Sequence, residues 1–408
     1  TNGPFRVRKF SSDPSEAIIL ERSKYYYLNQ DVQTEAIDKY VTPYRITIRY
    51  DIPQDLSLVY STASTDVLTM YNNRELFYVS GLTAATAAKY GKDVKTEKEA
   101  STFVYYFNLN SSENGELFQN AAVRQALSMA LDRNYIAQLV GCDTEAATGL
   151  INDKVFNTSR GTSFREEGGD IISAAGDIEG AKQLLSENDI WPEDYEDIYI
   201  VVRQDEMNDS YQSQLMGYVS KEKAIAQYTE TVWEQLGFNV VVNSLSASDY
   251  DTAFETGDYD VIGLDYQMLS VYPLYSLTPF TRDYNGSVRA VTSSDPDYDE
   301  SRGVMYYVND VHVTGYYNPD YDALIASAFA ETDDDKRAEI LHEAEALLLN
   351  DAVVVPILFN TNTYVVSSEL SKLSTNYWGY QIFTKAQLKD YVQYLPSVKN
   401  ASTDEEDQ

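Results

Sequence analysis

Cysteine and histidine are nearly absent from this chain of 408 residues, and their scarcity excludes several kinds of site. Cys142 is the single cysteine, so no disulfide can form within the chain, which fits the cytoplasm or an exported bacterial protein that relies on its core. His312 and His342 are the two histidines. The run HEAEA ends in Ala346, where a zinc protease helix would place its second histidine. We therefore predict no zinc site and expect His342 on the exposed side of a helix.

Basic residues are also few, since 31 lysines and arginines stand against 64 aspartates and glutamates, a formal net charge of −33. Such a surface repels phosphate backbones and anionic lipids, so binding to nucleic acid or to a membrane surface is disfavoured. No apolar run approaches the ~20 residues that a membrane span needs. Hydrophobic residues make up 43% and charged residues 23%, which is typical of a globular protein. The length predicts two domains, or one discontinuous pair of lobes.

Motifs for catalysis and cofactor binding are missing as well. The chain has no G-x-S-x-G elbow and no glycine-rich phosphate loop. The acidic run 295–299 resembles the start of a calcium loop, but Glu300 and Tyr306 stand where that loop needs glycine and glutamate. We predict no catalytic residue, no metal and no cofactor. The carboxylate pair of a glycoside hydrolase is recognised by its spacing in the fold, so it stays open as a lesser alternative.

Tyrosine is abundant, with 35 residues, and one tyrosine-rich stretch organises the chain. Between residues 102 and 109, Phe103, Tyr105 and Phe107 alternate with Val104, Tyr106 and Asn108, which predicts a strand with two distinct faces. Asn120 is placed to cap the next helix, whose apolar residues recur at helical spacing from 123 to 131. A strand that leads into a half-buried helix is typical of α/β proteins.

The second half of the chain alternates between strands and helices. Strands are predicted at Ile198–Val202, Phe238–Val242 and Tyr259–Gly263, with helices at Tyr211–Leu236 and Ser248–Glu255 between them. This alternation predicts parallel strands with helices packed on both faces.

Three further elements are predicted outside that unit. Residues 5–10 and 17–21 form a β-hairpin pattern. A helix should begin at Asn318 and Pro319, and Val353–Phe359 is an apolar run of strand length.

Four separated segments resemble, in order, the family 5 extracellular solute-binding proteins, which include the oligopeptide- and dipeptide-binding components of ABC importers. The segments are GPFRVRKF, YYFNLN with VRQALSMALDR, WEQLGFNVVVNSLSASDYDTAFETGDYDVI, and KRAEILHEAEALLLNDAVVVPILFNTNTYVVS. The family's matching "GPY" hairpin lies well inside the mature protein. The resemblance therefore implies that the chain corresponds to the C-terminal two thirds of the family fold.

The resemblance also implies a fold and its boundaries. We expect a periplasmic-binding-protein-like α/β fold with two lobes, of type II and cluster C, in which one lobe is complete and the other partial. Residues 1–105 would form part of the β-rich lobe I, and residues 106–356 the complete α/β lobe. Residues 357–400 would return to lobe I, and residues 401–408 would be an acidic disordered tail.

In this family, the strands that cross between the lobes flank the ligand cleft. Here those strands would be Thr102–Asn110 and Val353–Asn360. Tyr106 and Asn108 lie on the face opposite Phe103, so the resemblance makes them candidate ligand-binding residues. The alternative, that both faces are buried hinge packing, carries equal weight.

The run YDVIGLDYQMLSVYP supplies the second candidate site. In the oligopeptide-binding members, its counterpart pairs its main chain with the peptide and carries an aspartate that holds the α-amino group. The match places Asp265, Tyr266 and Gln267 at the pairing positions, with Met268 next, and Leu269 where the aspartate belongs. Three alternatives stay open: Asp265 takes that role through a shifted register, the ligand amine is not held here, or the ligand is not a standard peptide.

The resemblance therefore implies a substrate-binding protein of a bacterial ABC transporter, without enzymatic activity, that captures oligopeptides by hinge closure and delivers them to a membrane permease. We expect a monomer that binds no nucleic acid. We expect it to be extracellular, as a cell-surface lipoprotein or in the periplasm, with a signal and anchor that are not in this chain. An oligosaccharide-binding member of the family is the alternative, because a tyrosine-rich cleft also suits sugars.

Overall fold

A computed structural model describes residues 3–11, 13, 16–23, 26, 40–50, 52–156, 161–205, 209–282, 287–294, 298, 301, 305–310 and 314–394. Several residues singled out from the sequence lie outside these ranges, namely Asp295, Asp297, Asp299, Glu300, His312 and the tail 401–408.

The strands are β1 Phe5–Lys9, β2 Ile18–Arg22, β3 Arg45–Ile48, β4 Tyr78–Val79, β5 Val94–Phe107, β6 Glu145–Ala146, β7 Ile198–Arg203, β8 Val240–Leu245, β9 Val261–Gln267, β10 Ser287–Thr292, β11 Met305–Asp310, β12 Val354–Val366, β13 Leu370–Ser371, β14 Ser374–Thr375, β15 Gln381–Ile382 and β16 Gln387–Leu388.

The α-helices are α1 Val67–Asn72, α2 Ala84–Tyr90, α3 Gly115–Gln119, α4 Ala121–Met129, α5 Arg133–Val140, α6 Phe164–Gly168, α7 Ile178–Glu187, α8 Tyr211–Leu215, α9 Lys221–Glu234, α10 Ala247–Thr256, α11 Pro273–Leu277, α12 Pro319–Ala330 and α13 Asp334–Asp351. Within the described ranges, no helix combines the length and the apolar character needed to cross a bilayer.

A mixed sheet with the strand order β4-β12-β5-β9-β7-β8 forms the centre of the fold, and β6 pairs with β12. Strand β7 is parallel to both β8 and β9, as the alternation of strands and helices predicted. Strand β5 is antiparallel to β9 on one side and to β12 on the other. The predicted N-terminal hairpin is also confirmed, because β1 and β2 pair antiparallel.

Both faces of the central sheet are covered by helices. Phe103, Tyr105 and Phe107 pack on one face against apolar residues of α4, α7 and α9. Val104 and Tyr106 pack on the other face against residues of α11, α12 and α13. Each fully buried phenylalanine here stabilises the fold by roughly 1.5–3 kcal/mol relative to an exposed one. The two faces of β5 are therefore distinct, as predicted, and both are core.

Strands β5 and β12 continue past this double-sided core. Their pairing shifts register at two points, first between Pro356 and Leu358 and then where Phe359 pairs with Thr102 but Thr361 pairs with Lys98. Residues 99–101 of β5 thus stand opposite the single residue Asn360; we call this point the crossing. Beyond it, the two strands lie beside β4 and a small separate cluster formed by Val79, Leu82, Ala87 and Val365.

The local helix signals in the sequence are confirmed at two helices. The side chain of Asn120 accepts a hydrogen bond from the amide of Ala122 at 2.9 Å and caps α4. The side chain of Asn318 caps α12, with Pro319 as the first helical residue. Such side-chain caps satisfy amides that have no partner within the helix.

Two predictions about helices are wrong in detail. The single helix predicted at Tyr211–Leu236 is two helices, α8 and α9, because the chain turns at Gly217, whose φ is +81°, and Ser220 then caps α9. The helix predicted to start at Ser248 is capped by Ser246 instead. Both serines are plausible caps, and the sequence pattern alone does not separate them.

The prediction that His342 lies on a helix surface is wrong. Its ring stacks on Phe164 with centroids 3.9 Å apart, and neither ring nitrogen has a hydrogen-bond partner among the described residues. One turn further along α13, the buried Glu345 accepts hydrogen bonds from the amides of Leu150 and Ile151 and pairs with Arg165. This side of α13 therefore holds residues 148–156 and 161–169 against the core.

Candidate ligand-binding edge of strand β9

Strand β9 is joined to β5 through every second residue. Asn108 donates its amide to the carbonyl of Asp260 at 2.9 Å, and Met268 donates its amide to Ala100 at 2.8 Å. Hydrogen-bonded pairs alternate with non-bonded pairs in an antiparallel ladder. The amides and carbonyls of Asp265 and Gln267, at the intervening positions, therefore point away from β5.

On the side away from β5, strand β9 is largely unpaired. Strand β7 pairs with it only at Val261 and Ile262, and the Tyr250 hydroxyl donates to the carbonyl of Gly263 at 2.7 Å. Within the described ranges, no hydrogen bond is made by the main chain of Asp265 or Gln267. These four main-chain groups form what we call the β9 edge. An unpaired edge is a template for an added extended chain.

Tyr106 and Asn108 are built into the interior and do not reach the β9 edge. Tyr106 is 5% exposed, and its ring packs against Phe280. The amide group of Asn108 donates to the carbonyls of Gly257 and Tyr259 at 2.8 and 2.9 Å. Their contacts match the alternative that both faces of this strand are buried packing.

The residues of the second candidate site alternate between the two faces of the sheet. Tyr266 and Met268 are buried on the α11–α13 face, and the Tyr266 hydroxyl donates to the carbonyl of Ser276 at 2.6 Å. Asp265 and Gln267 belong to the opposite face, and Leu269 is 59% exposed. A ligand at the edge could therefore contact the side chains of Asp265, Gln267 and Leu269, whereas the side chains of Tyr266 and Met268 are buried on the other face.

The carboxylate of Asp265 is held from two other elements. The ammonium of Lys221, at the start of α9, lies 3.0 and 3.3 Å from its two oxygens. The amide group of Asn360, at the crossing, donates to it at 2.7 Å. Burial alone would lower the pKa of Lys221, but the carboxylates of Asp265 and Glu222 raise it above its ordinary value. Lys221 is therefore charged and engaged as the counter-ion of Asp265.

A turn between β14 and β15 lies over the end of β9. The Trp378 indole donates to the carbonyl of Met268 at 3.1 Å, and the Tyr380 hydroxyl donates to the Gln267 side chain at 3.3 Å. Sequence reasoning missed this turn, as it missed Lys221 and Asn360. Each lies about 40 or more residues from β9 in the chain, and none carries a local motif.

A concave region lies at the N-terminal end of β9, away from Asp265 and Gln267. It is a groove of about 430 Å³, lined in part by Glu113, Tyr199, Asp258 and Asp260. The carboxylate of Asp260 accepts from the Asn114 side chain at 2.9 Å and from the amide of Tyr199 at 3.0 Å, so it serves to hold the loop. In the described part of the chain, no group of three or more His, Cys, Asp or Glu side chains is arranged to hold a metal ion.

Known proteins resemble this chain over most of its length. The family described as bacterial extracellular solute-binding proteins, family 5, middle region, matches residues 1–287. The dipeptide-binding protein DppE of Bacillus subtilis is 25% identical over 382 residues, which cover 93% of this chain and 58% of DppE. The oligopeptide-binding protein OppA of the same organism is 24% identical, with 95% and 61% covered. The chain thus spans about three fifths of the length of these relatives.

Solved structures share the fold. The pheromone receptor PrgZ, whose structure concerns its mode of peptide binding, superposes with a TM-score of 0.70 at 18% identity, covering 95% of this chain and 65% of PrgZ. The substrate-binding domain of an oligopeptide ABC transporter from Bacillus anthracis has a TM-score of 0.69 at 16% identity, covering 95% of this chain and 65% of that one. These likenesses confirm the periplasmic-binding-protein-like α/β fold predicted from the sequence.

Proposed function

This chain belongs to the bacterial extracellular solute-binding proteins of family 5, and from that membership we propose that it captures oligopeptides for an ABC importer. The observation that carries the proposal is the β9 edge, where the main chain of Asp265 and Gln267 has no partner among the described residues. The names of DppE, OppA and PrgZ, which concern peptide binding, support the same ligand class.

Main-chain pairing explains how such a site would accept many sequences. The edge offers two amides and two carbonyls, and each hydrogen bond contributes a net 0.5–1.5 kcal/mol, so pairing would supply roughly 2–6 kcal/mol whatever the ligand side chains. Sugars have hydroxyls but no repeating amide at strand spacing. The edge therefore favours a peptide over the oligosaccharide alternative.

Capture would follow from closure of two lobes without covalent chemistry. The division into residues 1–105 with 357–400 as lobe I and 106–356 as the other lobe remains our proposal. It is supported by the crossing, where β5 and β12 leave the double-sided core and continue to the small cluster around Val79. A hinge placed there would lie beside the side chain of Asp265, which accepts a hydrogen bond from Asn360 at the crossing.

The partners follow from the same role. The closed protein would dock on a membrane permease of an ABC importer, outside the cytoplasm, as a monomer in the periplasm or as a cell-surface lipoprotein. No catalytic step is part of the proposal, because members of this family bind solutes.

A titration with ester analogues tests main-chain capture. Tetra-alanine, at up to millimolar concentration, should shift the amide resonances of Asp265 and Gln267 in NMR spectra. Two analogues replace peptide amides by esters, one at odd positions and the other at even positions. Alternate amides of an extended peptide face the edge, so only the analogue that loses those amides should bind about tenfold more weakly. Calorimetry with tripeptides to octapeptides and with cello- or xylo-oligosaccharides decides the ligand class. Heat from the sugars alone would end the peptide proposal.

A further inference from the structure

Glu99 lies on β5, on the opposite side of β9 from the β9 edge, and near the C-terminal end of β9. The β5–β9 register pairs Ser101 with Gln267, and Met268 donates its amide to Ala100. One further step, just past the end of β9, the same register would place Glu99 opposite Leu269. Residues two apart in a strand share a face, so Glu99 and Ser101 lie on the same side of the sheet as Asp265.

The cations near Glu99 are already paired with other carboxylates. Lys221 lies 3.0 Å from Asp265. Lys98, its neighbour in sequence, lies 2.9 Å from Glu145 and 2.7 Å from Asp153. Within the described ranges, Glu99 forms no ion pair of its own. Negative charge is therefore in excess around Glu99, near the C-terminal end of β9.

Partial burial makes the negative charge of Glu99 energetically unfavourable. Desolvation and then the charge of Asp265 raise the pKa of Glu99, and these outweigh the opposite effects of Lys221 and of the Ser101 hydroxyl. A raised pKa means that the ionised carboxylate is less stable in the folded chain than in water. A cation arriving at Glu99 would restore the lost stabilisation.

The turn between β14 and β15 brings aromatic rings to the same place. A side chain at Gly379 would have its Cβ 3.1 Å from the Cγ of Glu99, so the turn passes directly beside this carboxylate. Its neighbours Trp378 and Tyr380 keep 36% and 53% of their surface exposed. A carboxylate beside exposed aromatic rings is a favourable environment for an ammonium or guanidinium group, through charge and cation–π attraction.

We propose that Glu99, on β5 near the C-terminal end of β9, is a specificity-determining residue. It selects ligands that place an ammonium or guanidinium group beside its carboxylate. It acts from β5, across the strand from Leu269, which has no charge to offer. The inference rests on the proposed peptide capture and adds the charge class of the ligand. The cation can be the amino terminus of the peptide or the side chain of a lysine or arginine.

Three peptides distinguish these sources: tetra-alanine with a free amino terminus, its N-acetylated form, and an N-acetylated form with one lysine. Calorimetry on the full chain should give the acetylated uncharged peptide the weakest binding, and the stronger of the other two identifies the source of the cation. Glu99→Gln should weaken binding of that peptide about tenfold or more and leave the acetylated uncharged peptide unchanged. Glu113→Gln, an equal charge change at the opposite end of the sheet, should change neither.

Two further measurements separate selection from a structural role. Glu99→Gln should raise the Tm at pH 7, since it removes a carboxylate that burial destabilises, and the gain should shrink toward pH 4.5 as Glu99 becomes protonated. Leu269→Asp, added to Glu99→Gln, should restore the preference for the cationic peptide, because it puts a carboxylate at the facing register position. Asp265, Lys221, Lys98 and Ser101 are unchanged in both variants.

The outcomes that would overturn the inference are distinct. Peptide binding with no preference for the cationic forms, or equal weakening of all peptides by Glu99→Gln, rejects the role of Glu99 and leaves peptide capture standing. A chain that binds none of the peptides overturns peptide capture, and this inference with it.

Discussion

Replacing Glu345 by leucine should be the most destabilising single change where residues 148–156 and 161–169 meet α13. The Glu345 side chain is fully buried. One of its oxygens accepts the amides of Leu150 and Ile151, both at 2.9 Å, and the other pairs with the Arg165 guanidinium, whose side chain is 8% exposed. Arg165 also donates to the carbonyl of Ile151 at 3.0 Å. Leucine has a similar size but accepts no hydrogen bond.

The size of the effect follows from what the substitution leaves behind. A buried guanidinium without its counter-ion destabilises a fold by about 3–5 kcal/mol. Two buried amides without acceptors add about 1–3 kcal/mol each if the segment cannot move toward water. Partial relaxation will reduce the sum, so we expect a loss of about 5 kcal/mol. Domains are commonly stable by about 5–15 kcal/mol, so the variant should be close to unfolding at 37 °C.

Urea unfolding, followed by circular dichroism at pH 7, measures this loss. Glu343→Leu is the matched control, since it makes the same replacement at an exposed position of the same helix. It should change the free energy of unfolding by less than about 0.5 kcal/mol. The double variant Arg165→Met with Glu345→Leu should recover part of the loss, because it no longer buries an unpaired charge. A loss below about 1 kcal/mol for Glu345→Leu would refute the reasoning.

Three further changes test other parts of the structure. Burial, and next the charge of Arg165, lowers the pKa of His342 to about 4, so the folded chain resists its protonation. The unfolded chain takes up that proton near pH 6.5, so the free energy of unfolding should fall by up to about 3 kcal/mol as pH drops from 6.5 to 4. His342→Phe should remove this part of the pH dependence in urea unfolding. A pH profile that the substitution leaves unchanged would contradict this prediction. Asn120→Ala removes the cap of α4 and should cost about 1 kcal/mol by the same assay, whereas no loss would show that the cap is dispensable. Gly379→Ala adds a Cβ at φ +90°, 3.1 Å from Glu99, and should lower the Tm and weaken binding of the cationic peptide; unchanged affinity would separate the turn from the site.

Local signals in the sequence predicted local structure well. Asn120 and Asn318 cap their helices because the amides they satisfy lie two or three residues away, within reach of any pattern. The parallel arrangement of β7, β8 and β9 was predictable from short connections through helices. By contrast, β5 begins at Val94, eight residues before the predicted start, because its polar N-terminal half is held by pairing with β12.

Long-range contacts account for what the sequence could not predict. Glu345 belongs to the run HEAEA, which resembles a zinc-binding motif but lacks its second histidine. Nothing in that run indicates its partner Arg165, which lies 180 residues away. The alternation along β5 correctly separated Tyr106 from Phe103, but it could not tell that helices cover both faces. The match to the family placed Asp265, Tyr266 and Gln267 at pairing positions, but the main chain of Tyr266 faces β5, so only Asp265 and Gln267 belong to the β9 edge. Only the structure brings Lys221 and Asn360 to the Asp265 carboxylate and puts Glu99 on the same face of the sheet.

Hydrogen exchange at single amides tests the central claim, that β9 captures an extended peptide through its main chain. Without ligand, the amides of Asp265 and Gln267 should exchange fast, while those of Leu264 and Tyr266, which face β5, should exchange slowly. Saturating tetra-alanine should slow exchange at Asp265 and Gln267 at least tenfold and leave Leu264 and Tyr266 unchanged. Peptide that binds without slowing exchange at Asp265 and Gln267 would contradict the account.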